Sequence, residues 1–140
     1  MFDSILVPTD GSENSKEAAR DAIEIAKDSG GTVHALYVMD MGEVGFVATP
    51  SDIEEVRNRL QHKGDDFVDE IERMADAEGI RCMKEVRSGI PEHEIIDYAE
   101  EHGVDLIIMG KRGRADPDKP AFGTTTNRVI GMTDITVLTT

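Results

Sequence analysis

The chain has 140 residues, which is close to the usual size of one domain and enough to bury a core without disulfides. Its 15 lysines and arginines stand against 29 aspartates and glutamates, so its net charge of −14 would repel nucleic acids and anionic membranes. No apolar run reaches membrane-spanning length, and the single cysteine excludes both an internal disulfide and a cysteine cluster for metal.

The acidic residues are spread along the whole chain and do not form a tail. Even dispersal keeps a protein soluble through hydration and self-repulsion, and halophiles use this device. We therefore hypothesise a high-salt cytoplasm, with an ordinary acidic protein as the alternative. Met1 leads directly into a strand-like run, so we expect no signal peptide, and the lone Cys82 fits a reducing cytoplasm.

Strand-like and helix-like patterns alternate along the chain. The predicted strands span residues 2–7, 32–39, 80–87, 104–109 and 135–139, and the predicted helices span residues 13–29, 51–79, 91–102 and about 124–130. Ser12 is the expected N-cap of the first helix. Gly64 interrupts the pattern of the second helix, and the third strand is polar enough to be an edge strand.

This order predicts an α/β fold: one domain, residues 1–140, with a doubly wound, Rossmann-like sheet of five parallel strands and helices on both faces. We expect the strand order 3-2-1-4-5, with the most hydrophobic strand, residues 104–109, near the centre. The winding then reverses between the first and fourth strands. The loops that follow them, residues 8–12 and 110–123, would face each other where α/β proteins place ligands.

The second of these loops has the chemistry of an anion site. Its sequence, with the threonines that follow, is GKRGRADPDKPAFGTTT, and its glycines let backbone N–H groups approach a phosphate. A helix that starts near Thr124 would add its positive end. The alternative is a surface loop whose glycines only make turns. Across the crevice, Asp10 could accept hydrogen bonds from ribose hydroxyls or hold Mg²⁺, or its Asp-Gly pair could simply form a turn.

Four segments resemble the universal stress protein family, in its ATP-binding branch. They are ILVPTDGS at residues 5–12, LYVMD at 36–40, DLIIMGKRG at 105–113 and the Gly-x₂-Gly-x₉-Gly-Thr signature at 110–124. The resemblance implies an adenine nucleotide, ATP or else ADP or AMP, and a homodimer with a swapped or abutting final strand.

The resemblance also implies three groups of binding residues. Those around the adenine and ribose are Pro8, Thr9, Asp10 and, through its backbone, Val38. Those that line the nucleotide are Met109, Gly110, Arg112 and Gly113. Those that bind phosphate are Gly123, Thr124, Thr125 and Thr126.

The chain departs from the family at two places. Asp116 and Asp118 stand in a loop that is commonly apolar or small, and they would repel a triphosphate unless they point outward or meet Mg²⁺. Thr136 stands where a proline usually precedes the last strand, and that strand is less apolar than usual, which weakens the expected dimer contact.

We expect a regulator or nucleotide-gated switch with no catalytic residues. The alternatives are a weak ATP hydrolase or adenylyl-transfer enzyme, for which Asp10 is the only evident acid or base, and a nucleotide-free dimerisation module. His34 lies in a strand, and His62, His93 and His102 are expected on separate helices, so no histidine pair has the spacing of metal ligands.

Overall fold

The computed structural model describes residues 2–41, 49–110 and 121–140. Within these ranges strands and helices alternate in the predicted order. The elements are β1 (Ser4–Pro8), α1 (Glu13–Ser29), β2 (Thr32–Met39), α2 (Pro50–Ala77), β3 (Cys82–Ser88), α3 (Pro91–Glu101), β4 (Leu106–Met109), α4 (Ala121–Met132) and β5 (Thr136–Thr139).

The strands form one parallel sheet in the order β3-β2-β1-β4-β5. This confirms the predicted fold class and strand order, and it confirms β3 as an edge strand. The centre is occupied by β1, whereas β4 lies one place away from it. The winding reverses between these two strands, which pair through Ile5 with Leu106 and Leu6 with Ile107.

The sheet is covered by helices on both faces. Consecutive residues of its inner strands point to opposite sides, so each inner strand contributes buried side chains to both faces. Ile5 and Val7 belong to a core that includes buried residues of α1 and α2, while Leu6 belongs to a core with α3 and α4. All three side chains are fully buried. This is why the inner strands are nearly continuous apolar runs in the sequence.

The first helix matches its prediction closely. Ser12 is its N-cap, since the Ser12 side chain accepts a hydrogen bond from the Ser15 amide, and the helix ends before Gly30. Its buried face includes the expected set, Ala19, Ala22, Ile23 and Ala26. Small alanine side chains let the helix axis approach the sheet closely.

The second helix corrects the sequence analysis, because Gly64 does not interrupt it. The helix is continuous from Pro50 to Ala77, and Gly64 is among its buried residues. A Cβ on Gly64 would lie 2.5 Å from Cδ2 of Tyr37 in β2. The glycine therefore allows the helix to pack directly on an aromatic ring, and the ring cannot be inferred from the local pattern.

Candidate functional site

The carboxyl ends of β1 and β4 lie side by side, and the chain is tightly packed where they meet. Gly110, the first residue after β4, is buried. A Cβ on Gly110 would lie 2.8 Å from the Asn14 Cβ and 3.0 Å from the Asn14 carbonyl carbon, in the first turn of α1. The first glycine of the signature thus permits this close approach. The start of the second loop therefore packs against the first turn of α1, the helix that follows the turn of Asp10.

The turn between β1 and α1 is held from two sides. The Thr9 amide donates to the Leu36 carbonyl at 2.8 Å, which continues the pairing with β2, and the Gly11 amide donates to Thr9 Oγ1 at 3.1 Å. Gly11 has a φ of 80°, and a Cβ there would lie 2.3 Å from the Phe67 ring of α2. Both the dihedral angle and the ring require glycine at this position.

The Asp10 side chain is oriented by the residues that begin α1. Its Oδ1 accepts a hydrogen bond from the Ser15 hydroxyl at 2.7 Å and another from the Ser12 amide at 3.0 Å. Both donors point at one carboxylate oxygen, so the carboxylate has a defined orientation beside the crevice. The positive end of the α1 dipole favours a negative charge at this place.

Of the three threonines that follow the second loop, two are buried and one is exposed. Thr125 and Thr126 are buried, and Thr126 Oγ1 donates to the Gly110 carbonyl at 3.0 Å, which joins α4 to the end of β4. Thr124 is exposed. Because α4 begins at Ala121, three residues earlier than predicted, the positive end of the helix precedes the threonines.

Most of the predicted binding residues lie at this end of the sheet. Those at or just after the carboxyl ends of β1, β2 and β4 are Pro8, Thr9, Asp10, Val38, Met109 and Gly110. Those in the first turns of α4 are Gly123, Thr124, Thr125 and Thr126. Arg112 and Gly113 lie outside the described residues, as do Asp116 and Asp118, and the roles proposed for them stay predictions.

Two residues that shape the site were missed by the sequence analysis. Ser15 lies three residues after the N-cap Ser12, a spacing that could have suggested a role at the helix start. Phe67 is distant in sequence from Gly11, and no local signal predicts their contact.

Within residues 2–41, 49–110 and 121–140, no group of three or more His, Cys, Asp and Glu side chains could hold a metal ion. The histidines are placed differently from the prediction, since His93 lies in α3 and His102 caps the same helix.

No helix in the described part of the chain is long and apolar enough to cross a membrane. Burial raises the pKa of the Cys82 thiol to about 11, so this cysteine is a poor nucleophile.

Comparisons with known proteins agree with this architecture. The sequence model of the universal stress protein family matches residues 1–140. Universal stress protein MJ0531 of Methanocaldococcus jannaschii is 35% identical over 132 residues, which are 93% of this chain and 76% of that protein. Universal stress protein YxiE of Bacillus subtilis is 30% identical and covers 99% of this chain and 98% of its own.

Solved structures show the same fold. The universal stress protein UspA from Lactobacillus plantarum superposes with a TM-score of 0.86 at 29% identity, over 99% of this chain and 97% of that one. Two more distant structures contain nucleotides. One is a universal stress protein in complex with cAMP (TM-score 0.72, 21% identity, 99% of this chain and 96% of that one), and the other is an Arabidopsis thaliana protein with AMP bound (TM-score 0.72, 18% identity, 98% and 90%). On the match of the family model to its whole length, the chain belongs to the universal stress protein family.

Proposed function

We propose that this protein is an adenine-nucleotide-binding regulator, with residues 1–140 forming one nucleotide-binding domain. The observation that carries the proposal is the contact of Gly110 with Asn14, which brings the chain leaving β4 against the first turn of α1, directly after the turn that contains Asp10. In a parallel α/β sheet, ligands bind where the winding reverses, at the carboxyl ends of the strands. The family's structures with cAMP and with AMP give further support for this ligand class.

The described residues fit such a ligand. Pro8, Thr9 and Asp10 would face the adenine and ribose beside Val38, whose side chain is half-buried in the face that α3 and α4 cover. The exposed Thr124 and the positive end of α4 would meet the phosphates. If Mg²⁺ accompanies ATP, Asp10 is the residue that could supply a carboxylate oxygen to it, and the ion would offset the charge of the phosphates.

The proposal includes a homodimer formed through β5, the second edge of the sheet. Leu138 on this strand is 42% exposed, and Ile130 and Met132 at the end of α4 are about half exposed. A free strand edge with apolar neighbours is suited to pairing with a second copy. Each copy would cover the other's edge, with the two β5 strands abutting.

The proposed setting is a high-salt cytoplasm. The net charge of −14 would favour a highly hydrated surface there, and the self-repulsion that it causes would be screened.

One preparation, purified in molar potassium chloride, tests both the ligand and the dimer. We expect heat denaturation to release adenine nucleotide, or calorimetric titration to detect ATP binding, and light scattering to give twice the chain mass. Asp10→Ala should weaken binding, whereas Asp28→Ala should not, because Asp28 is an exposed aspartate in the last turn of α1, at the far end of the helix that follows Asp10.

Different results would contradict different parts of the proposal. Neither released nucleotide nor ATP binding at high salt would refute nucleotide binding and leave the dimerisation module. Turnover of ATP that Asp10→Ala abolishes while binding persists would identify an enzyme instead. A monomer that binds ATP would refute the dimer alone.

A further inference from the structure

The buried hydroxyl of Ser15 donates a hydrogen bond to the Asp10 carboxylate. Ser15 has no solvent exposure, although serine is usually found at the surface. Its oxygen accepts hydrogen bonds from the Ser12 hydroxyl at 3.1 Å and from the Asp10 amide at 3.3 Å, and it donates to Asp10 Oδ1 at 2.7 Å. Two O–H groups therefore point in one direction, from Ser12 through Ser15 to the carboxylate.

This arrangement strengthens the last bond of the series. Hydrogen bonds in series polarise one another, and a bond to an ionised acceptor is about twice as strong as one between neutral groups. Because Ser15 is shielded from water, no solvent molecule can replace its hydroxyl without a rearrangement of the turn.

Capping of α1 does not require the Ser15 hydroxyl. The N-cap bond is made by Ser12 Oγ, which accepts from the backbone amide of Ser15 at 3.2 Å. Replacing the Ser15 side chain would leave that amide in place. The Ser15 hydroxyl is thus available for another role. It donates its hydrogen bond to Asp10, which is the one acidic side chain of the β1–α1 turn.

The backbone on both sides of Asp10 is also held by contacts that do not involve Ser15. Gly11 is confined by its contact with the Phe67 ring, and Thr9 is joined to β2 through the Leu36 carbonyl. With the backbone held, the remaining freedom of Asp10 is rotation of its side chain. The Ser15 bond to Oδ1 restricts that rotation together with the bond from the Ser12 amide.

We propose that Ser15 is a positioning residue that directs the Asp10 carboxylate toward the sugar of the bound nucleotide and so makes the site select ribonucleotides over deoxyribonucleotides. The inference rests on the proposed function. A site that hydrogen-bonds a ligand hydroxyl binds the analogue that lacks it more weakly, because that hydrogen bond is lost. The loss is largest when the acceptor cannot turn to another donor, and Ser15 contributes to this fixed orientation together with the Ser12 amide.

The test is calorimetric titration with ATP, 2′-deoxy-ATP and 3′-deoxy-ATP. We expect the wild type to prefer ATP over at least one deoxy analogue. Ser15→Ala should reduce that preference about fivefold or more, mainly by weakening ATP. Ser29→Ala is the matched control, because Ser29 lies at the other end of α1 and donates to the Phe2 carbonyl at 2.6 Å. It should leave the preference unchanged even if it lowers stability.

Further variants separate positioning from a general effect on folding. In the Asp10→Ala background, Ser15→Ala should change the preference no further, since the two residues act through one carboxylate. Ser15→Cys keeps nearly the shape of serine with a much weaker donor, and it should reduce the preference even if Ser15→Ala fails to fold. Ser15→Thr, which retains the hydroxyl, should retain the preference.

The outcomes distinguish the inference from the function on which it rests. A wild type that binds no adenine nucleotide refutes the proposed function. A wild type that binds ATP and both deoxy analogues equally well refutes the inference alone. The same holds if the wild type discriminates and both Ser15→Ala and Ser15→Cys discriminate equally well.

Discussion

Single residues at the carboxyl end of the sheet act by being small or by donating one hydrogen bond. The sequence places Thr9 and Asp10 there because an apolar run ends just before them, and strand ends can be read from such runs. The contact of Gly11 with Phe67 could not be predicted, since it depends on how α2 lies on the sheet. The bond from Ser15 to Asp10 was also unpredictable, because it depends on the dihedral angles of the turn.

The close approach at Gly110 leads to a prediction with an internal control. Gly110→Ala should destabilise the protein by about 1–3 kcal/mol, because its Cβ would meet Asn14 in a packed region, and it should weaken ATP binding. Gly131→Ala, in α4, should stabilise it by about 0.5–1 kcal/mol, because apart from the local helix backbone no atom lies within 4 Å of the new Cβ. Urea unfolding curves measure both. A Gly110→Ala protein as stable as the wild type would contradict the close contact between Gly110 and Asn14.

Among the elements, β1, β2 and α3 share a polar cluster on the face that α3 covers. Ser4 Oγ lies 2.8 Å from His34 Nε2, and His34 Nδ1 lies 2.7 Å from the Tyr98 hydroxyl. The His102 ring stacks on Tyr98 with centroids 3.9 Å apart and lies 5.7 Å from the His34 ring. The sequence does not predict that these histidines lie together, because their proximity appears only when α3 packs on β2.

This cluster gives the fold a pH dependence. Burial lowers the pKa of His34, and the charges of His102 and Arg81 lower it further. An unfolded histidine has a pKa near 6.5, whereas the pKa of His34 in the folded chain is lower. As the pH falls below about 6.5, the unfolded chain therefore binds more protons than the folded chain. Stability is therefore fully present above that pH and decreases as the pH falls toward the folded-state pKa of His34.

His34→Gln tests this dependence, since glutamine has donor and acceptor atoms for the two hydroxyls but does not titrate. Between pH 7.5 and 5.5, the wild type should lose more unfolding free energy than His34→Gln, as measured by urea denaturation. His62→Gln, an exposed position on α2, should behave as the wild type. Equal losses in the wild type and His34→Gln would exclude His34 as the source.

At the scale of the whole molecule, the topology was the most predictable feature. Alternating elements imply a parallel sheet with right-handed crossovers, and reversal of the winding at the first strand gives the order that is found. What the alternation could not give is the exact extent of each element. Gly64 lies within α2, and α4 starts at Ala121, because tertiary packing decides both.

Part of the acidic charge in the described part of the chain is paired with basic side chains. Several basic residues contact two or more carboxylates, as Lys84 does with Asp69 at 2.6 Å and Glu72 at 3.0 Å. Lys27 likewise contacts Glu24 and Glu78. Such exposed pairs contribute little to stability, because water and salt screen them. Against them stands the mutual repulsion of an acidic excess of 29 − 15 = 14 charges, which acts over the entire surface.

Salt should therefore stabilise this protein on balance. Raising potassium chloride from 0.1 M to 1 M shortens the screening length from about 10 Å to about 3 Å, which weakens long-range repulsion more than contacts between paired side chains. We expect the melting temperature to rise with salt, and a flat or falling melting temperature would contradict the high-salt proposal.

A control variant separates screening from the general effect of salt on apolar burial. It converts five exposed acids to their amides, giving a net charge of −14 + 5 = −9: Glu17, Asp28, Glu54, Glu55 and Glu100. This variant should gain less from salt than the wild type, because it has less repulsion to screen, whereas an equal gain would attribute the stabilisation to apolar burial.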